Sequence, residues 1–120
     1  MARILLAEDT PATSDMVKRA LTGEGHEVVV AGDGSEALEH LSAPDAHFDL
    51  MITDVQMPGL DGIALIEKAF QIRPNLGIVL MSGFAGGLER AESLKGQVRG
   101  VLSKPFTLEQ IKAAARDALK

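Results

Sequence analysis

The sequence predicts an α/β fold in one domain over residues 1–120: a doubly wound, five-stranded parallel sheet with helices on both faces. Three observations lead there. Short apolar, β-rich runs recur five times, at residues 4–7, 27–31, 48–53, 77–81 and 98–102. A helical pattern follows each run, and right-handed crossovers between such units leave a parallel sheet covered on both sides. Runs one, three and four are nearly unbroken in apolar residues, as strands buried on both faces must be.

Each helix has its own signal. After the first run, Met16, Val17, Ala20 and Leu21 fall on one side of a 3.6-residue period, and Thr10 before Pro11 predicts an N-cap and first-turn pair. The second helix carries Ala37, Leu38 and Leu41. The third carries Ile63, Leu65, Ile66, Ala69 and Phe70, with Asp61 as its expected cap. A short fourth helix is expected over residues 87–95, where a Gly-Gly entry and a mixed pattern weaken the signal. The fifth presents Leu108, Ile111, Ala115, Ala118 and Leu119. Turn residues such as Gly32-Asp33-Gly34 and Pro58-Gly59-Leu60-Asp61-Gly62 fall between these elements, where strand-to-helix connections need them.

Composition narrows the function. With 120 residues, 46% of them hydrophobic and 24% charged, the chain has enough apolar surface for a core and room for one domain at roughly 100 to 200 residues each. No apolar run approaches the ~20 residues of a membrane span. The stretch after Met1-Ala2-Arg3 meets Glu8-Asp9 too early for a secretory signal, so a cytoplasmic protein is expected. The absence of cysteine excludes disulfides, thiolate metal sites and cysteine nucleophiles, and His26, His40 and His47 lack metal-ligand spacing. A net charge of −5, with no Trp and no Tyr, argues against a nucleic-acid platform.

In an open parallel sheet, ligands bind beyond the carboxyl ends of the strands. There the runs end in Glu8-Asp9, Asp54, Ser82 and Lys104-Pro105. Three carboxylates, a hydroxyl and an ammonium thus converge from positions almost a hundred residues apart. Clustered carboxylates without a cation repel, and an all-oxygen donor set selects Mg²⁺, Mn²⁺ or Ca²⁺ over zinc. Mg²⁺ completes its shell with water and phosphate oxygens, so the expected guest is a phosphoryl group, with Asp54 as nucleophile. Metal, Lys104 and Ser82 would neutralise and position its three oxygens. Taken singly, these residues have blander roles: Glu8 and Asp9 as acids at a helix start, Asp54 as a turn former, Ser82 as a strand end. Their common place at strand ends favours a site.

Glu8-Asp9, the segment from Asp54 through Met57-Pro58-Gly59 to Asp61-Gly62, Ser82-Gly83 and Lys104-Pro105-Phe106 together resemble the receiver domain of two-component response regulators, over the whole chain. The resemblance implies a flavodoxin-like strand order 2-1-3-4-5, with helices one and five on one face and two, three and four on the other. It implies that a sensor histidine kinase or phosphotransfer protein phosphorylates Asp54. It implies Mg²⁺ held by Asp9, Asp54 and the Gln56 carbonyl, with Glu8 nearby or acting through water. Ser82 would hydrogen-bond the phosphoryl group, Lys104 would contact it, and the peptide before Pro105 would be cis. One position departs from the family. Three residues before the lysine, receivers usually carry Tyr or Phe, whereas this chain has Val101. Coupling to the surface of helix four, strand five and helix five is therefore expected to run through Phe84 and residues 83–87. Within the family, Val101-Leu-Ser-Lys-Pro with Ser82-Gly-Phe is most similar to short stand-alone receivers that control a cell-cycle protease as adaptors.

The expected function is a phosphorylation-dependent switch that contacts a downstream protein, a protease or its adaptor included, rather than an enzyme acting on an external substrate. A phosphorelay intermediate or phosphoryl sink is the alternative. A Mg²⁺-dependent aspartyl-phosphate phosphatase fits less well, because such hydrolases carry Asp-x-Asp on strand one, whereas Thr10-Pro11 follow Asp9 here. A flavin or nucleotide carrier is disfavoured by Glu8-Asp9, which would repel a bare phosphate, and by the lack of a glycine-rich phosphate loop.

Overall fold

The computed structural model describes residues 2–44, 47–57, 59–83 and 96–120. Chain order runs β1 (Arg3–Ala7), α1 (Pro11–Gly23), β2 (Glu27–Ala31), α2 (Gly34–Ser42), β3 (Leu50–Asp54), α3 (Gly62–Ile72), β4 (Gly77–Ser82), β5 (Gly100–Ser103) and α4 (Leu108–Ala118). The last helix is the one expected as fifth. The helix expected over residues 87–95, and Phe84 with it, lie outside the described residues. The sheet order is β2-β1-β3-β4-β5 with every pairing parallel, the doubly wound arrangement that the resemblance implied.

Side chains alternate across a strand, and this alternation sorts the core into two layers. Leu5, Ala7, Met51, Ile78 and Leu80 pack under α2 and α3 with Ala37, Leu41, Leu65, Ile66 and Ala69. Ile4, Leu6, Leu50, Ile52, Val79 and Met81 pack under α1 and α4 with Val17, Leu21, Ile111, Ala115 and Ala118. The central strands β3 and β4 are buried along their whole length, whereas β2 and β5 at the sheet edges are only partly buried. Their edge position explains why the second and fifth apolar runs were the more broken ones.

Several expected boundaries move. Run three was expected to start at Phe48, but β3 begins at Leu50. Phe48 instead packs against the core from the loop, with the Arg3 guanidinium 4.7 Å from its ring centre. Run five was expected from Val98, but β5 begins at Gly100. Arg99 turns its guanidinium to the Ala118 carbonyl at the end of α4. Thr10 does occupy the N-cap position before Pro11, yet its side chain makes no capping bond. Asp61 does cap α3, accepting the Ala64 N–H at 2.9 Å.

Candidate functional site

The carboxyl edge of the sheet is built by the same alternation. Position 8 continues Ile4 and Leu6, position 54 continues Leu50 and Ile52, and position 104 continues Leu102, all on the α1/α4 side. Parallel pairing brings the strand ends together. β1 and β3 are in register with Ala7 opposite Thr53, and β3 and β4 with Asp54 opposite Met81. Glu8 and Asp54, 46 positions apart, therefore become neighbours, and the loop after β5 delivers Lys104 between them.

Lys104 Nζ donates to Glu8 Oε1 at 2.6 Å and to Asp54 Oδ2 at 2.7 Å. The second Glu8 oxygen accepts the Asp9 N–H at 3.0 Å, and Asp54 Oδ1 lies 3.4 Å from the Gln56 N–H. Glu8 is 2% exposed and Asp54 7%. Two carboxylates thus share one ammonium in a poorly solvated place. Burial pushes the Glu8 carboxyl up to about 7, against the opposing hydrogen bond from Lys104, and the neighbouring charge of Asp54 adds to the rise. The Lys104 ammonium is pushed up as well. Burial works against it, but its hydrogen bonds to Asp54 and Glu8 outweigh that effect.

Glu8, Asp9 and Asp54 each offer a carboxylate oxygen, and these oxygens lie within 4.8 Å of one another. The donor set is all hard oxygen, partly buried, with more negative charge than Lys104 alone neutralises, and it fits Mg²⁺. Beside it opens a cleft of about 600 Å³ lined by Asp9, Thr10, Asp54, Gln56, Met57, Gly83 and Lys104. The cleft is large enough for a phosphoryl group with its water. Ser82 is at the same edge, 1% exposed, one strand over. Its carbonyl accepts the Lys104 N–H at 2.7 Å, which ties the two loop starts together. The Lys104–Pro105 peptide is cis, as expected.

Two features of this edge escaped the sequence reading. Glu8, besides its place in the carboxylate cluster, is held directly by Lys104, a pairing the sequence did not signal. Thr53 was read only as the end of an apolar run, yet its buried hydroxyl donates to the Asp54 carbonyl at 3.0 Å. A hydroxyl inside a strand buried on both faces was the available signal, since such a group must find a partner within the protein. Val101, at the position where an aromatic ring was missed, is 40% exposed on β5.

A family model described as the response regulator receiver domain matches residues 4–116. The chain is 38% identical over 111 residues to the response regulator receiver protein CpdR of Brucella abortus, covering 92% of this chain and 91% of that protein. It is 32% identical over 114 residues to the transcriptional regulatory protein TcrA of Mycobacterium tuberculosis, spanning 95% of this chain but only 44% of TcrA. The crystal structure of a response regulator receiver domain protein from Clostridium thermocellum superposes with a TM-score of 0.89 at 28% identity, over 99% of this chain and 94% of that one.

Proposed function

The chain belongs to the response regulator receiver domain family of two-component signalling, and we propose that it is a phosphorylation-dependent switch whose phosphoacceptor is Asp54. The observation that carries this reading is the arrangement of Asp54: a carboxylate at the centre of the sheet edge, held by Lys104 and open to a polar cleft. A Mg²⁺ ion held by Asp9, Asp54 and the Gln56 carbonyl, with Glu8 beside it or reaching it through water, would supply the positive charge that lets one anion approach another. Lys104 orients the Asp54 carboxylate and meets the incoming phosphoryl oxygens. An Asp54 oxygen forms the new bond to phosphorus as the P–N bond to a donor phosphohistidine breaks, and the imidazole leaves with the electron pair. Ser82 follows the phosphoryl group as a hydrogen-bond donor. Because its carbonyl is bonded to the Lys104 N–H, a shift of either residue is transmitted to both loops.

The phosphoryl donor in this reading is a sensor histidine kinase or a phosphotransfer protein. The output is contact with a protein rather than turnover of an external substrate. The similarity to CpdR, described as a response regulator receiver protein and matched over most of its length, supports the receiver reading on which this output rests. The narrower reading of that target as a protease or its adaptor rests on the sequence resemblance alone.

The test is phosphorylation with acetyl phosphate, followed by mass spectrometry. A single phosphoryl adduct is expected in Mg²⁺, with none in excess chelator and none in Asp54→Ala. Lys104→Ala should modify slowly. Undiminished modification of Asp54→Ala would overturn the assignment. Capture of partners with the phosphorylated and Asp54→Ala forms then separates a switch, whose partners differ between the two, from a phosphoryl sink, whose partners do not.

A further inference from the structure

The peptide that carries Asp54 is held from behind by residues outside the acidic cluster. Pairing between β1 and β3 ends at Ala7 opposite Thr53. The next donor along β1, the Asp9 N–H, is already engaged by Glu8 Oε2. The Asp54 carbonyl therefore lies just past the β1–β3 ladder, at the last residue of β3, although Asp54 still pairs with Met81 of β4. Two features hold it there. Thr53 Oγ, on a residue that is 0% exposed, donates to it at 3.0 Å. Gly62, the first residue of α3, is packed so closely on it that an added Cβ would sit 1.9 Å from the oxygen, a contact no side chain can occupy. The Gly62 N–H also donates to the next carbonyl, that of Val55, at 2.8 Å, and the Val55 N–H donates to Met81 at 3.0 Å. The peptide planes on either side of the Asp54–Val55 link are thus fixed from both directions.

We propose that Thr53 and Gly62 form a clamp on the Asp54 carbonyl that sets the direction in which the Asp54 carboxylate points, which makes Thr53 a positioning residue for phosphoryl transfer. This inference rests on the assignment of Asp54 as phosphoacceptor. A nucleophile must hold a near-attack geometry, and a displacement of about 1 Å can cost roughly a hundredfold in rate. Thr53 lies on the α2/α3 side of the strand and faces away from the cleft, so it reaches the reaction only through the backbone of Asp54. Its hydroxyl is the group that matters. Valine retains the branched shape and leaves the carbonyl without its donor.

The experiment measures the rate of Asp54 phosphorylation by acetyl phosphate at saturating Mg²⁺, with Mg²⁺ affinity and unfolding midpoint recorded for the same samples. Thr53→Val is expected to lower the rate roughly tenfold or more, and Thr53→Ser, which keeps the hydroxyl, to restore it to within about threefold of wild type. Thr53→Ala serves if the valine variant folds poorly. Ile4→Val, a core change at the opposite end of β1, controls for stability and should leave the rate unchanged. A Thr53→Val rate equal to that of wild type or Ile4→Val, or failure of serine to restore it, overturns the clamp while leaving the phosphoacceptor assignment intact. Absence of phosphorylation in the wild type overturns both.

Discussion

Glu8, Asp54 and Lys104 put two carboxylates and one ammonium into a space with little water. Lys104 neutralises one negative charge, and Glu8, the more deeply buried carboxyl, holds a proton to higher pH chiefly because burial disfavours its charged form, with the charge of Asp54 adding to the rise. Its folded value near 7 stands above the ordinary 4.5. Between these values the folded state binds more protons than the unfolded one, so this group's contribution to stability is full below pH 4.5 and is lost as pH rises through 7. The charged neighbours facing it are Asp9, Asp54 and Lys104, and the ammonium stays charged throughout this window. With a chelator present, wild-type stability relative to Glu8→Gln should fall from pH 4.5 to 7 with a slope of at most about 1.4 kcal/mol per pH unit. Denaturant titrations of the two proteins at several pH values measure it, and parallel curves would contradict the burial argument.

Two helix starts make a controlled pair at the scale of elements. α4 opens with a full capping box: Thr107 accepts the Gln110 N–H at 3.1 Å, and the Gln110 side chain accepts the Thr107 N–H at 2.8 Å. α1 opens at Thr10 with no side-chain bond and relies on Pro11 in its first turn. Thr107→Ala should cost about 1 kcal/mol, and Thr10→Ala much less, although both are threonines at N-caps. Urea unfolding of the two variants decides. The glycines make a second pair. A Cβ at Gly34, the first residue of α2, would meet the Leu60 carbonyl at 2.0 Å, whereas nothing lies within 4 Å of one at Gly23. Gly34→Ala should cost about 1–3 kcal/mol by forcing the β3–α3 loop away from α2. Gly23→Ala should be neutral or stabilise by up to about 1 kcal/mol. Equal effects in thermal melts would show that the loop yields freely.

For the molecule as a whole, the acidic edge couples metal binding to folding. Glu8, Asp9 and Asp54 come together only in the folded chain, so Mg²⁺ that binds there stabilises it by mass action, by about 2.7 kcal/mol at a hundredfold excess over its dissociation constant. The unfolding midpoint should rise with Mg²⁺, more at pH 7 than at pH 5, and Asp9→Asn should remove most of the rise. A midpoint indifferent to Mg²⁺ in the wild type would contradict the metal reading.

The fold was legible in the sequence because its signals are local. Short apolar runs in the strands, a period of 3.6 in the helices and glycine-rich turns between them require only neighbours along the chain, whereas the sheet order 2-1-3-4-5 was implied by the family resemblance and is the order observed. The candidate site was legible for a related reason: strands of a parallel sheet all end at one edge, so the residues after each apolar run had to meet. Partnership inside the site was decided by the tertiary structure. Glu8 is paired with Lys104 across 96 positions because β1, β3 and β5 project positions 8, 54 and 104 to the same side in one register. The strand period alone gives the side but neither the neighbour nor the offset. Thr53 likewise reads as one more strand residue until β1 is seen to stop pairing beside it, leaving the Asp54 carbonyl for its hydroxyl. Thr10 shows the converse, a correct local signal whose side-chain bond the folded chain does not make. Chain-local preference sets which elements form, whereas their boundaries, hydrogen-bond partners and proton affinities depend on distances of a few ångströms between strands, and only packing fixes those.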